Sequence, residues 1–352
     1  MKKQDLKSLT RNELVKWFEK NGYPEFRGKQ VFNWIYKNGV QSFDEMINLP
    51  QSLKDEICEK AYISSNLILK EALSSKDGTV KFLWSLSDCE TVESVYLPFP
   101  EDGRHSICIS SQVGCAMDCK FCATGSDGLV RNMTTGEIVD QVLEIQRQIS
   151  RGGFGNPRIS NVVFMGMGEP LANMDSVLKA IDIINDEKGL DIGMRRITLS
   201  TSGLVPKIKE LADKEMQLVL AVSLNAPNNF LRDSLMPINK KYPLEKLIDS
   251  VNYYINKTNR RVSFEYVMIK DLNDSRELAL ETAGLLKGMI CHVNLIPLNP
   301  VEEFNFESPS KETVNEFKDI LESKGIETTI RQERGTSIDA ACGQLRHLKN
   351  KG

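Results

Sequence analysis

The sequence predicts an α/β protein: a partial (β/α)6, TIM-like barrel preceded by a small helical accessory domain. Three observations predict it. From Ser106 to Arg334 strand-like and helix-like patterns take turns, the alternation that builds a parallel sheet with helices outside it. Six such repeats span about 230 residues, which suits a barrel lacking part of the ~250-residue eightfold form. The polar and Gly-rich strings fall where the strands should end, which is where such sheets carry their sites. A doubly wound open sheet is the alternative architecture.

The elements follow in order. Residues 1–95 hold three helical patterns, TRNELVKWFEKNG, FRGKQVFNWIYKNG and LPQSLKDEICEKA, and then a hairpin pattern with Asp77-Gly78 as its turn signal. They read as a separate accessory domain. Residues 96–335 form the barrel. Its strand-like runs are SICIS at 106, NVVFMG at 161, RRITLST at 195, LVLAVSL at 218, RRVSFEYVMI at 260, HVNLIPL at 292 and ETTIRQ at 327. The first long helix opens at Thr134 with a capping box, in which Thr134 and Glu137 satisfy each other's backbone donors. Residues 336–352 are a C-terminal segment.

Composition excludes several classes. Lys and Arg number 45 against 48 Asp and Glu, a formal net charge of -3, so no whole-molecule field attracts nucleic acid and any RNA contact must use local patches. The first thirty residues lean basic, with Lys2, Lys3, Lys7 and Arg11 among them, and Arg346, Lys349 and Lys351 close the chain. Solvated helix faces explain these equally well. The eight cysteines are too sparse for a disulfide-stapled secreted fold. No run of signal-peptide type opens the chain, and no stretch approaches the ~20 apolar residues of a membrane span. The expected location is the cytoplasm.

Cys115, Cys119 and Cys122 form C-x-x-x-C-x-x-C. On a helix this spacing would only stack three buried thiols on one face. A structural zinc site would want a fourth ligand, and no nearby pair supplies it. Thiolates favour iron-sulfur clusters, and three of them on a four-iron cube leave one iron open. An open iron can chelate the amino and carboxylate groups of a methionine moiety, and an electron from the cluster can then break a sulfonium C–S bond to give a 5′-deoxyadenosyl radical.

The triad resembles the signature of the radical S-adenosylmethionine (SAM) superfamily, and GMGEP from Gly166 to Pro170 resembles its glycine-and-glutamate motif. Further strings, VESVYLP at 92, CISSQVGC at 108, RRITLSTSG at 195, SLNAP at 223, MPINKKYP at 236, NLIPLNP at 294 and IDAACGQL at 338, are similar to those of the radical SAM RNA methyltransferases that modify adenosine.

That resemblance implies a [4Fe-4S] cluster on Cys115, Cys119 and Cys122, and two SAM molecules per turnover. It implies 2-methyladenosine as the product, in 23S rRNA and in tRNA. Cys342 would accept a methyl group and carry it as S-methylcysteine. Glu93 would remove the C2 proton, and Cys108 would resolve the protein-RNA bridge by forming a transient disulfide with Cys342. SAM contacts would fall on Gly168, Glu169, Ser200, Ser223, Leu224, Asn225 and Asn299, with Phe121 against the adenine. Asn225 stands where the family more often has His. A flavodoxin-like electron donor, a monomer and no membrane complete the expectation.

Two rival readings stand beside it: methylation at C8 of the same adenosine, and a non-catalytic iron-sulfur protein that binds RNA. Cys58, Cys89 and Cys291 match no motif and read as packing residues.

Overall fold

The computed structural model describes residues 3–126, 128–151, 157–301 and 304–347. Three helices come first: α1 (Arg11–Lys20), α2 (Glu25–Tyr36) and α3 (Gln51–Lys60). A capping box opens α1, with the Glu13 N–H donating to Thr10 Oγ1 at 3.3 Å and the Thr10 N–H to Glu13 Oε2 at 3.0 Å. Leu14 and Phe18 of α1 and Val31, Phe32 and Ile35 of α2 recur at helical spacing and are fully buried, so each helix buries one apolar stripe.

Ten strands then form one sheet: β1 (Ile68–Ser74), β2 (Val80–Ser85), β3 (Thr91–Phe99), β4 (Arg104–Cys108), β5 (Asn161–Phe164), β6 (Ile197–Thr201), β7 (Val219–Ser223), β8 (Val262–Met268), β9 (Cys291–Pro297) and β10 (Thr328–Ile330). Their spatial order is their chain order from end to end. β4 to β10 are all parallel. Every crossover therefore steps the same way, which winds a barrel wall; a doubly wound sheet would reverse at a switch point. The edges β1 and β10 have no partner beyond them among the described residues, so the barrel is partial.

Six helices make the principal crossovers: α4 (Thr135–Arg151), α5 (Met174–Asn185), α6 (Val205–Asp213), α7 (Leu244–Thr258), α8 (Arg276–Leu285) and α9 (Lys311–Ser323). The expected capping box at α4 is present, with Glu137 N–H on Thr134 Oγ1 at 3.2 Å and Thr134 N–H on Glu137 Oε2 at 2.8 Å.

The hairpin read with the N-terminal residues hydrogen bonds into the main sheet. β3 runs through residue 95 and pairs antiparallel with β4, with Val95 opposite Cys108 and Phe99 opposite Arg104. The N-terminal helices are tied to the barrel by a buried ion pair, in which Lys7 Nζ lies 2.6 Å from Asp140 Oδ1 of α4 and both side chains are 1 % exposed. Asn66 donates its backbone and side-chain N–H groups to Asp140 Oδ2, and Tyr36 OH donates to the Lys7 carbonyl. With these lone pairs satisfied the pair holds; stripping one partner from such a pair typically costs about 3–5 kcal/mol.

Candidate functional site

The C-terminal ends of β4 to β10 converge on two adjoining cavities. The inner one, about 160 Å³, is bordered by Cys115, Cys119 and Cys122. The outer one, about 370 Å³, opens between β3, β4 and β10. Cys342, Arg331, Asn299, Met165 and Ile296 line both and form the partition.

The three cysteines lie on a loop, not on a helix. After β4 the chain makes a short ribbon, Gln112–Gly114 against Leu129–Asn132. Its Gly114, at φ +73°, brings Cys115 N–H to the Gly128 carbonyl at 3.0 Å. A Cβ at Gly114 would meet that carbonyl oxygen at 2.0 Å, so only glycine fits the bend. A turn joins Cys122 N–H to the Cys119 carbonyl, and one helical turn, Ala123–Ser126, follows. The helical-face reading of the triad is thereby excluded. Burial pushes the Cys115 thiol up to about 12 and holds the Cys119 and Cys122 thiols high as well. Three half-buried thiols with raised proton affinity ask for a cationic group to discharge them. Among the described residues no three His, Cys, Asp or Glu side chains converge on a single ion.

The wall opposite the triad is polar. At Gly168 φ is +95° and a Cβ would meet Gln112 Cβ at 2.4 Å, which forces glycine there. Glu169, which is buried, takes the Ser202 N–H at 2.7 Å on one oxygen and the Leu171 N–H at 3.1 Å on the other. Burial raises its proton affinity and these donors oppose the rise. Ser200, Ser223, Asn225 and Asn299 border the same cavity, as does Phe121. Ser202 Oγ and Asn299 Oδ1 are buried without a partner. Buried orphans of this kind facing a cavity are what a polar ligand satisfies. The donor set, the glycine cradle and the orphaned atoms fit an iron-sulfur cluster with a SAM molecule beside it.

Two expected contacts sit differently. Leu224 is fully buried and does not line the cavity; it offers backbone, donating its N–H to the Glu265 carbonyl. Asn225 occupies the left-handed region at φ +58°, which Asn tolerates. Its carboxamide is spent on Val267 N–H at 2.8 Å and Met236 Sδ at 3.1 Å, so this side chain shapes the wall.

Glu93 lies on the β3 face that carries Cys108's neighbour Val95, yet it borders neither cavity. It is buried, paired with Lys81 Nζ at 3.1 Å, and accepts the Arg346 N–H at 2.9 Å. Burial raises its proton affinity, and Lys81 opposes the rise. The C-terminal segment covers it. That segment is pinned to the triad loop by Ala123 N–H on the Gly343 carbonyl at 2.8 Å and Thr124 Oγ1 on the Leu345 carbonyl at 2.6 Å.

Cys108 is buried, and its thiol is pushed up to about 12 by desolvation, with Cys342 adding to the rise and Arg331 opposing it. Cys58 and Cys89, expected to be packing residues, are exposed, and Cys291 is half-buried. Cys89 occupies a left-handed turn position at φ +68°, where the chain reverses at the surface.

Sequence reasoning missed three charged residues. Arg331 follows the last strand and stands beside the Cys108 and Cys342 thiols. Glu265 faces inward from β8 and is held by Asn294 Nδ2 at 2.8 Å and Ser263 Oγ at 3.0 Å. Arg232 is fully buried and donates to the carbonyls of Ser202, Ser223 and Leu224 at 2.8–3.0 Å and to Asn239 Oδ1 at 2.8 Å. One charged residue inside a strand pattern was the available signal for Glu265. Arg232 gave none, because its helix reads as ordinary surface.

The family model "Radical SAM superfamily" matches residues 109–283, and "Ribosomal RNA large subunit methyltransferase N-terminal domain" matches residues 4–63. A "Probable dual-specificity RNA methyltransferase RlmN" of Clostridium novyi is 51 % identical, over 97 % of this chain and 98 % of that one. The chain belongs to the RlmN family of the radical SAM superfamily. A second RlmN relative, of Alkaliphilus oremlandii, is 51 % identical over 99 % of this chain and all of that one. The crystal structure of a radical SAM methyltransferase from Sphaerobacter thermophilus superposes with a TM-score of 0.91 at 43 % identity, covering 97 % of this chain and 99 % of that one. Membership in this superfamily implies a [4Fe-4S] cluster and SAM, the groups the inner cavity fits. No helix among the described residues is long and apolar enough to cross a membrane.

Proposed function

We propose that this chain is a radical SAM methyltransferase that builds 2-methyladenosine in 23S rRNA and tRNA, with Cys342 carrying the carbon between SAM and the base. One observation carries the reading: Cys342 stands in the partition and borders both cavities, so a group on its sulfur can be loaded from the inner side and delivered to the outer.

Adenine C2 bears a hydrogen and is electron-poor, so it cannot attack a methyl sulfonium as a nucleophile. A thiolate can. Cys342 sulfur therefore takes the methyl group of a first SAM as that sulfonium S–CH3 bond breaks. Cys115, Cys119 and Cys122 would hold the cluster, which with a second SAM would supply the one-electron chemistry that takes a hydrogen atom from the S-methyl group on Cys342. The Cys342 methylene carbon then bonds to C2, the adduct loses the C2 hydrogen as a proton, and the one electron it gives up would return to the cluster oxidised in the preceding step.

Glu93 is the proposed proton acceptor. Its burial favours proton uptake, and it must first be released by the Arg346 N–H, which calls for a shift of the C-terminal segment. The Cys108 thiolate then attacks the Cys342 sulfur. An S–S bond forms, the S–CH2 bond breaks with its electron pair going to carbon, and that carbon takes a proton to complete the methyl group. An external thiol reductant restores the two cysteines.

Gly168, Glu169, Ser200, Ser223 and Asn299 are the proposed SAM contacts, with Asn225 and Leu224 shaping the wall. Residues 1–95 are proposed as an RNA-binding accessory unit, 96–335 as the barrel and 336–352 as the segment that presents Cys342. A cytoplasmic monomer reduced by a flavodoxin-like donor fits this scheme. The test is anaerobic reconstitution with iron, sulfide, SAM and an rRNA fragment, followed by nucleoside mass spectrometry. 2-Methyladenosine supports the reading; 8-methyladenosine, or SAM left intact, overturns it.

A further inference from the structure

The rim of the outer cavity carries an arrangement that the chemistry at Cys342 does not use. Phe99, at the end of β3, lies opposite Arg104 of β4. The Arg104 guanidinium sits 4.4 Å from the Phe99 ring centroid, and the Arg334 guanidinium, from beyond β10, sits 4.5 Å from the same centroid. Two cations on one ring form a stacked pile of planar groups.

The pile is held rigidly. Arg334 donates to the Pro98 carbonyl at 3.0 Å and pairs with Glu101 at 3.1 Å, while its buried Nε has no partner. Arg104 pairs with Asp102 at 3.0 Å through Nε and leaves its side chain 48 % exposed. All three pile residues border the same cavity as Cys108 and Cys342.

We propose that Phe99, Arg104 and Arg334 form a platform for the RNA nucleotide next to the target adenosine. The proposal rests on the reading that the outer cavity receives the target base. For C2 to reach Cys342 the adenine must leave its own stack, and its neighbour then loses a stacking partner. Proteins recognise such splayed RNA by offering aromatic and guanidinium planes to the bases and arginine forks to the phosphates. Here the exposed plane is the Arg104 guanidinium, backed by the Phe99 ring, with Arg334 against the same ring. The acids Glu101 and Asp102 orient the two guanidinium groups and keep the platform selective for a geometry, because a phosphate fits only beyond their reach.

The experiment measures binding of a synthetic RNA stem-loop with unpaired loop adenosines to the cluster-reconstituted protein over a series of salt concentrations. Arg104→Ala is expected to weaken binding about tenfold and to lower the salt slope by about one. Phe99→Leu is expected to weaken it by a similar factor at unchanged slope, since the ring that backs the Arg104 plane is lost and no charge is removed. Arg276→Ala, an exposed change on α8, serves as the control. S-methylation of Cys342, read by mass spectrometry of the same samples, needs no RNA and reports that each variant has folded around its cluster. Binding by Arg104→Ala and Phe99→Leu within about twofold of the parent, with Cys342 methylated, overturns the platform. A parent that binds the stem-loop yet never methylates Cys342 overturns the functional reading instead; circular dichroism then reports the fold of each variant, and the binding comparison still decides the platform.

Discussion

Cys342 and Cys108 share the wall of the outer cavity, but only Cys342 also faces the inner one. This asymmetry supports the proposed division of labour, with Cys342 as carrier and Cys108 as the releasing thiol. The Cys108→Ala variant is expected to load a methyl group, attack RNA once and stop. Denaturing electrophoresis should show a stable protein-RNA adduct, with the crosslink mapped to Cys342. Normal turnover by this variant would remove Cys108 from the mechanism.

Release should also be strongly pH-dependent in the parent protein. The Cys108 thiol is pushed up to about 12 by burial, and only the thiolate attacks sulfur. Below that value the thiolate fraction therefore grows about tenfold for each unit by which the pH is raised. In single-turnover experiments between about pH 7 and 9, adduct decay should accelerate accordingly. A decay rate flat over that range would contradict the account.

Glu93 and Lys81 form the second such pair. Burial raises the proton affinity of Glu93, and Lys81 holds it down. A base must be unprotonated, so activity should rise as pH rises through this elevated value, above the usual carboxylate range. Removing the counter-charge with Lys81→Met should move that acid limb further up. Glu93→Gln should reduce turnover by about 10²–10⁴-fold and leave Cys342 methylation intact. An acid limb unmoved by Lys81→Met would place the titrating group elsewhere.

Much of the barrel was legible because strands buried on both faces write long apolar runs, as in LVLAVSL, while the helices write period-3.6 stripes. The triad was legible because its ligands are close in sequence. Other features depend on residues far apart in the chain. Arg331 and Cys342 meet Cys108 only when β10 and the C-terminal segment close over β4. The ion pair of Lys7 with Asp140 links positions 133 residues apart, and no local pattern marks it. The hairpin's membership in the main sheet was hidden too, since antiparallel pairing with β4 leaves its alternation unchanged.

Arg232 is the clearest case of a residue that only the fold reveals. It gathers the carbonyls of Ser202, Ser223 and Leu224 beneath the proposed SAM site. Arg232→Met should orphan these buried acceptors at about 1–3 kcal/mol each. A large drop in the urea unfolding midpoint is expected, together with weaker SAM binding in whatever fraction folds. Arg232→Lys, with a single donor head in place of the fork, should restore little of this. Full stability of the methionine variant would show that solvent reaches these carbonyls.

The passage of the methyl carbon through Cys342 is tested most directly by isotope content. The protein, freed of bound methyl groups by a first unlabelled turnover, is given SAM whose methyl group carries three deuteriums. The 2-methyladenosine formed is then weighed. A carrier mechanism removes one deuterium from the S-methyl group and completes the product methyl from solvent, so the account predicts a methyl group with two deuteriums. A product that keeps all three would mean direct transfer to the base, and would contradict it.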